Sequence, residues 1–239
     1  MAETTLAEQK AGTAHPLDNA IWNALTGRHG AFMEGDGRVR RYTGTVAPFG
    51  AMADTSPESF RTLHALTGRH GPTALVTVDE IVPPAAFSIT RRDTLLQMVW
   101  QGEPDHEDKP AHVKLTAGDV PDMLALVAAT QPGPFGPRTI ELGTYIGMRH
   151  EGKLAAMAGE RIKPDGFTEI SAVCVDPAFR GQGLAARLMK RLISAIAARA
   201  ETPFLHVVAS NRGAIALYEK LGFVERRAMH LMVLGVAQR

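Results

Sequence analysis

The stretch "FRGQGLAARLMKRL", Phe179–Leu192, sets Gly181 and Gly183 directly ahead of a strongly amphipathic run. Glycine weakens helix interiors and is used where the backbone must turn sharply or be approached closely. Leu184, Leu188, Leu192 and Ile196 recur at i+4 steps, which predicts a helix docked on a sheet; Arg187, Lys190, Arg191 and Arg199 fall largely on its other faces. The first turn of such a helix offers free N–H groups and about half a positive charge. With no Cβ at either glycine an anion can sit on those amides, and Arg180 adds a cation at the mouth. Strand, glycine loop and helix N-terminus together suit a phosphate. The competing reading is a tight strand-to-helix turn that holds no ligand.

The spacing discriminates between cofactor classes. Gly181, Gly183 and Ala186 fit G-x-G-x-x-A, the dinucleotide fingerprint. In that fold the glycine follows its strand almost at once, whereas "DPAFR" separates Val175 from Gly181. The acid expected at the end of the next strand is also missing, because "PFLHVVASN" ends in Ser210 and Asn211. No G-x-x-x-x-G-K-[ST] occurs, which excludes a nucleoside-triphosphate loop of that type.

Outward from this stretch, the second half of the chain orders itself. "AHVKL" reads as a strand and "TAGDVPDMLALVAAT" as a helix begun near Thr116 or Asp119. "QPGPFGPRTI" is too rich in Pro and Gly to be regular. The strands "GTYIGMRH", "LAAMAGERI" and "FTEISAVCV" follow. After the glycine stretch and its helix come strand "PFLHVVA", helix "NRGAIALYEKLG" and strand "FVERRAMHLMVL". The order β-α-β-β-β-α-β-α-β predicts a mixed central sheet flanked by helices, an α/β (α+β) class.

The seam is "QGEPDHEDKPAH", Gln101–His112, read as a solvated connector; Asp105, His106, Glu107 and Asp108 are a charge run there, and no metal is expected. The chain then divides into a loose N-terminus at 1–14, a smaller α/β half at 15–104 and a second domain at 105–239. In the first half Ile21, Trp22 and Leu25 have helical spacing. "SPESFRTLHALTG" reads as a helix capped by Ser56, with Pro57 first and Gly68 at its end. "TALVTV", "AAFSIT" and "TLLQMVW" read as three short strands. "ALTGRHG" occurs twice, at Ala24–Gly30 and Ala65–Gly71, with unrelated flanks, and both copies are expected at glycine-capped helix ends.

Composition sets the remaining bounds. At 239 residues, with 45% hydrophobic and 21% charged residues, the chain can bury a real core. A net charge of +1 gives no global field toward nucleic acid or an anionic membrane, and neither is expected as a partner. The single cysteine, Cys174, allows no internal disulfide and fits a cytoplasmic setting. No apolar run approaches the ~20 residues of a membrane span.

Arg180-Gly181-Gln182-Gly183-Leu184-Ala185 resembles the pyrophosphate signature [Q/R]-x-x-G-x-[G/A] of the GNAT superfamily of N-acetyltransferases. "NRGAIALYEKLGF" resembles that family's second motif, with Asn211, Ala214, Tyr218 and the closing Leu221-Gly222-Phe223 in place. The resemblance covers about residues 112–234, and the text around "GERI" and "PFLHV" looks most like the glycine N-acyltransferase-like branch. It implies a GNAT-like fold for the second domain and an acyl-CoA-dependent N-acyltransferase that moves an acetyl group from acetyl-CoA to a primary amine in a ternary complex. The first half would be a degenerate GNAT-like copy that shapes the acceptor cleft. The alternative function is a non-catalytic acyl-CoA-binding sensor. The expected partners are a small-molecule or peptide amine and a second copy in a homodimer.

The resemblance also implies roles residue by residue. The backbone of Val173, Cys174 and Val175 would pair with the pantetheine amides, and the amides of Gln182 to Ala185 would hold the pyrophosphate, flanked by Arg180, Gly181 and Gly183. Asn211 would contact the pantetheine arm. An ammonium must lose a proton before it attacks, so a base is sought. Glu169 is the candidate, placed by strand alternation on one face with Ser171, Val173 and Val175. Its other reading is a strand-end carboxylate paired with an Arg or Lys, and Glu160 stands in reserve. Tyr218 would protonate the departing sulfur, and its alternative is a core tyrosine. His206 could shuttle protons or be structural; Cys174 reads as inert core.

Overall fold

A computed structural model describes residues 15–103 and 112–237 of the chain. The expected loose N-terminus and most of the acidic connector, with its boundary at 104/105, lie outside the described residues.

The first half opens with a single 3-10 turn, Pro16–Asn19, capped by His15, and helix α1 (Ala20–Thr26). Three short strands follow, β1 (Met33–Gly35), β2 (Val39–Tyr42) and β3 (Phe49–Met52). Helix α2 (Pro57–His70) starts where expected, because the Ser56 side chain accepts from Ser59 N and Pro57 needs no donor there. It does not stop at Gly68. The apolar stripe of Phe60, Leu63 and Leu66 carries it onward to Gly71, whose φ of 85° ends it. Both copies of "ALTGRHG" lie at glycine-capped helix ends as expected, but at different glycines: Gly27 terminates α1, while Gly68 sits inside α2 and Gly71 terminates it. Strand β4 (Thr73–Thr77) is as expected, but "AAFSIT" and "TLLQMVW" join into one long strand, β5 (Phe87–Trp100). The polar run Arg91, Arg92 and Asp93 does not divide it: the two arginines are exposed and Asp93 is half-buried on a strand paired along its length.

In the second half the expected order is the order found. Strand β6 (Val113–Lys114) precedes α3 (Val120–Thr130), whose entry is fixed by Thr116 and Asp119 capping each other. Strands β7 (Tyr145–His150), β8 (Lys153–Glu160) and β9 (Phe167–Val175) form an antiparallel meander. Helix α4 (Leu184–Ala197), strand β10 (Thr202–Val208), helix α5 (Arg212–Lys220) and strand β11 (Phe223–Val236) complete the chain.

All of these strands join one sheet in the order β1-β2-β3-β4-β11-β5-β10-β9-β8-β7-β6. The order is nearly palindromic. A meander, a crossover helix and a parallel strand occur on each side: β1-β2-β3, α2 and β4 on one, β7-β8-β9, α4 and β10 on the other. The last strand of each half crosses to the opposite side. Strand β11 pairs with β4 from His230↔Thr77 to Leu234↔Thr73, and β5 pairs with β10 from Phe204↔Val99 to Val208↔Leu95. The two also pair with each other from Phe223↔Trp100 to Val236↔Phe87.

Two helices of the second half lie on one face. The stripe of Leu184, Leu188, Leu192 and Ile196, all at most 8% exposed, packs with Ala156, Ala158, Ile170, Leu205 and Val207. On the other face α1 covers Phe49, Ala74 and Phe204, while α3 covers Met157, Ala172 and Cys174. No helix among the described residues is long and apolar enough to cross a membrane.

Candidate active site

Strands β9 and β10 run parallel but pair only from Thr202↔Phe167 to Phe204↔Glu169. Beyond Glu169 they share no pairs, so the sheet splits between these two strands. The N-terminus of α4 faces that split. Gly181 and Gly183 have φ values of 78° and 71°, a region that side-chain-bearing residues rarely adopt. A Cβ added at either would meet nothing within 4 Å, so the space above them is open. Helix α4 has no side-chain cap and no acid in its first turn. By contrast Ser56 caps α2, and Asn211 Oδ1 caps α5 by accepting from Ala214 N at 3.2 Å. The amides of α4 are left for an external anion, beside exposed Arg180.

The face expected for Glu169, Ser171, Val173 and Val175 is broken. One extra residue on β9 shifts the pairing between Met157↔Cys174 and Gly159↔Ser171, and Ala172 takes a φ of 52°. Glu169 therefore points to the α1 side, while Val173 and Val175 pack on the α4 side. Cys174 is buried on the α3 side, and burial pushes its thiol up to about 11. It is core, as expected.

Glu169 is fully buried and held from both sides. Arg161 forks its carboxylate, Nε to Oε2 at 2.8 Å and Nη2 to Oε1 at 3.0 Å, and His206 Nδ1 lies 2.9 Å from Oε1. Burial alone would raise its pKa, yet the Arg161 guanidinium and His206 hold it at about 2. The structure supports the pairing alternative for Glu169: a carboxylate this acidic and this enclosed is a poor proton acceptor. Gln97 Nε2 donates to His206 Nε2 at 3.0 Å and to Leu17 O at 2.9 Å, while Gln97 Oε1 accepts from Arg226 Nη1 at 2.7 Å. His206 thus has both ring nitrogens engaged, Nε2 by Gln97 and Nδ1 by Glu169. Glu160 is equally committed, to Lys163 at 2.7 Å and Arg199 at 2.9 Å.

Tyr218 stands in the cleft wall with its ring edge-on to Phe223, and no hydrogen bond to its hydroxyl occurs among the described residues. Burial pushes its pKa up to about 12, so it stays protonated at neutral pH. In the Pro- and Gly-rich loop, Gln131–Pro134 line the cleft, while Arg138 lies outside it and forks Glu141 at 2.7 Å on the surface. Arg161 and Gln97 were not singled out in the sequence. The hairpin register Glu160↔Ile170 was the available signal for Arg161, since it sets Arg161 opposite Glu169. Gln97 meets His206 across β5 and β10, a pairing between the two halves that leaves no local trace.

Arg161, His206 and Tyr218 line a cleft of about 930 Å³, while Glu169, Gln97 and Glu160 lie behind its wall. One end holds Arg180, Gly181, Gly183 and Leu184, the middle runs along Val173–Val175 and Tyr218, and the far end reaches Phe49, Val76 and Arg91. No group of His, Cys, Asp or Glu suited to a metal ion occurs among the described residues.

Residues 145–231 match the model of the FR47-like protein family. A crystal structure from Novosphingobium aromaticivorans, assigned to the GNAT family of acetyltransferases, superimposes with a TM-score of 0.87 at 42% identity, covering 94% of this chain and 100% of that one. The [ribosomal protein bS18]-alanine N-acetyltransferase of Escherichia coli is 42% identical over 79 residues, 33% of this chain and 53% of its own length. The Salmonella typhimurium protein of the same name is 41% identical over 117 residues, 46% of this chain and 78% of its own length. The chain thus spans about half the length of the Escherichia coli relative it matches.

Proposed function

The chain belongs to the GNAT family of acetyltransferases, and on that footing we propose that it transfers an acetyl group from acetyl-CoA to a primary amine by direct attack in a ternary complex. The observation that carries this reading is the uncapped α4 mouth above two positive-φ glycines, set at the split between β9 and β10. The amides of Gln182 to Ala185 would hold the pyrophosphate with Arg180 beside it. The unpaired edge of Val173–Val175 would take the pantetheine amides as an added strand. Asn211 lies along that path, with its side chain serving as the α5 cap.

Acetyl-CoA supplies an activated thioester. The neutral amine attacks its carbonyl carbon, the C–N bond forms and the C–S bond breaks. Tyr218 gives its proton to the departing sulfur and regains one from solvent, and the amine's surplus proton leaves to water in the open cleft. Glu169 and His206 position the walls and do not exchange protons, since both are committed to partners. The first half reads as a second copy of the same topology whose cradle is filled from within. Asp54 Oδ1 accepts from Ser56 N at 2.9 Å and Ser59 Oγ at 2.6 Å, which places a carboxylate by the α2 N-terminus.

The relatives named for an alanine of ribosomal protein bS18 make a peptide amine one candidate acceptor, and a small-molecule amine is the other. The lack of a carboxylate in the cleft lining among the described residues favours a second reading, a non-catalytic acyl-CoA sensor. Calorimetry with acetyl-CoA followed by thiol release over an amine panel separates the two. Binding with turnover supports the enzyme; binding with no turnover of any amine selects the sensor; no binding removes both.

A further inference from the structure

The far end of the cleft differs in kind from the cofactor mouth. The cavity passes through the split to the α1 side of the sheet and reaches strands of the first half. Val76, Leu231 and Val233 are half-buried there, and Phe49 closes the floor. No Asp or Glu lines the cleft among the described residues; its charged lining is Arg91, Arg161 and Arg180. Arg161 is turned onto Glu169, and Arg180 stands at the opposite end.

Arg91 is different. Its side chain is 51% exposed, and its only hydrogen bond among the described residues runs from Nε to Asp93 Oδ2 at 2.6 Å. Both terminal nitrogens are therefore open. A polyamine entering here meets Arg91 and Arg161, whose carboxylate partners Asp93 and Glu169 are already engaged. An apolar group would cover Val76, Leu231 and Val233, and a carboxylate beside it would take the two free nitrogens of a guanidinium that fits it in plane.

We infer, resting on the acyl-transfer reading above, that the acceptor is a small amine bearing both an apolar group and a carboxylate, the chemistry of an apolar α-amino acid. Arg91 is the specificity-determining residue that holds the carboxylate. The palindromic sheet explains its location: β5 of the first half and β11 of the second meet here, so the acceptor end belongs to both halves.

The test uses the full chain with L-leucine, L-methionine, L-phenylalanine, their C-terminal amides and spermidine, after acetyl-CoA binding is measured by thermal shift. The acids are expected to be acetylated with KM at least about 10-fold below their amides, and spermidine not at all. Arg91→Ala should raise KM for the acids about 10-fold, leave the amides unchanged and spare kcat, while Arg91→Lys should restore only part of the preference. Failure of acetyl-CoA to bind overturns the acyl-transfer reading and this inference with it. Three results overturn the inference alone, given that acetyl-CoA binds: no turnover of any acid; amides or spermidine used as well as the acids; or an Arg91→Ala effect equal on acids and amides.

Discussion

Glu169 Oε1 lies 2.9 Å from His206 Nδ1, and Arg161 grips the same carboxylate. From there the contacts continue through Gln97 and Arg226 to Asp18, whose Oδ1 is 2.7 Å from Arg226 Nη2. One polar chain thus ties the second half's split strand to the first half's opening turn. Buried charges of this kind are costly to leave unmatched, so removing one partner harms the fold before it touches the chemistry.

Glu169→Gln should therefore destabilise the protein by about 3 kcal/mol at pH 7. The carboxyl sits at about 2 in the folded chain, below its ordinary value, so its stabilisation is present above the unfolded pKa. That contribution is lost as the pH falls from about 4.5 toward 2. Urea unfolding at pH 7 and pH 3 should show the gap between wild type and variant shrinking at the lower pH. An unchanged stability with turnover down more than about 100-fold would instead make the carboxylate a chemical base.

Tyr218→Phe removes a hydroxyl that has no partner among the described residues, and the ring packing against Phe223 is kept. Turnover should fall by roughly 10- to 100-fold while the acetyl-CoA dissociation constant stays within about twofold. Equal turnover with the variant would return Tyr218 to the role of a wall residue.

Gly183→Asp sets binding against folding. An Asp at the mouth of α4 can accept from the open amides, as Asn211 does for α5, and tolerates positive φ better than most residues. The melting temperature should shift by only a few degrees, while acetyl-CoA affinity drops at least about 10-fold because the carboxylate occupies the phosphate position. Undiminished affinity would mean that the cofactor is held elsewhere.

Residues 112–237 expressed alone should fail to fold cooperatively. Strand β5 lies between β10 and β11, and its loss leaves both with an unpaired central edge. A monomeric fragment with a sharp unfolding transition would contradict the shared sheet.

The second half was legible because its signals are local. The i+4 stripe of α4, the glycines before it and the alternating strands fix their own elements through backbone geometry and amphipathic burial. The helix ends misread in the first half have the opposite cause: at Gly68 the packing of Leu66 and Leu63 outweighs one weak residue, and in β5 full pairing with β11 outweighs a polar interval.

By itself the sequence determined the family motifs, the order of elements in the second half and the anion-ready helix mouth, since each depends on residues near one another in the chain. Only the tertiary structure decided which face Glu169 takes, because a single extra residue at Ala172 reverses the alternation. It also decided that Arg161, His206 and Gln97 close around that carboxylate, and that β5 and β11 exchange sides to floor the cleft. Pairings between strands more than a hundred residues apart depend on long-range register and burial, and no short window of sequence encodes them.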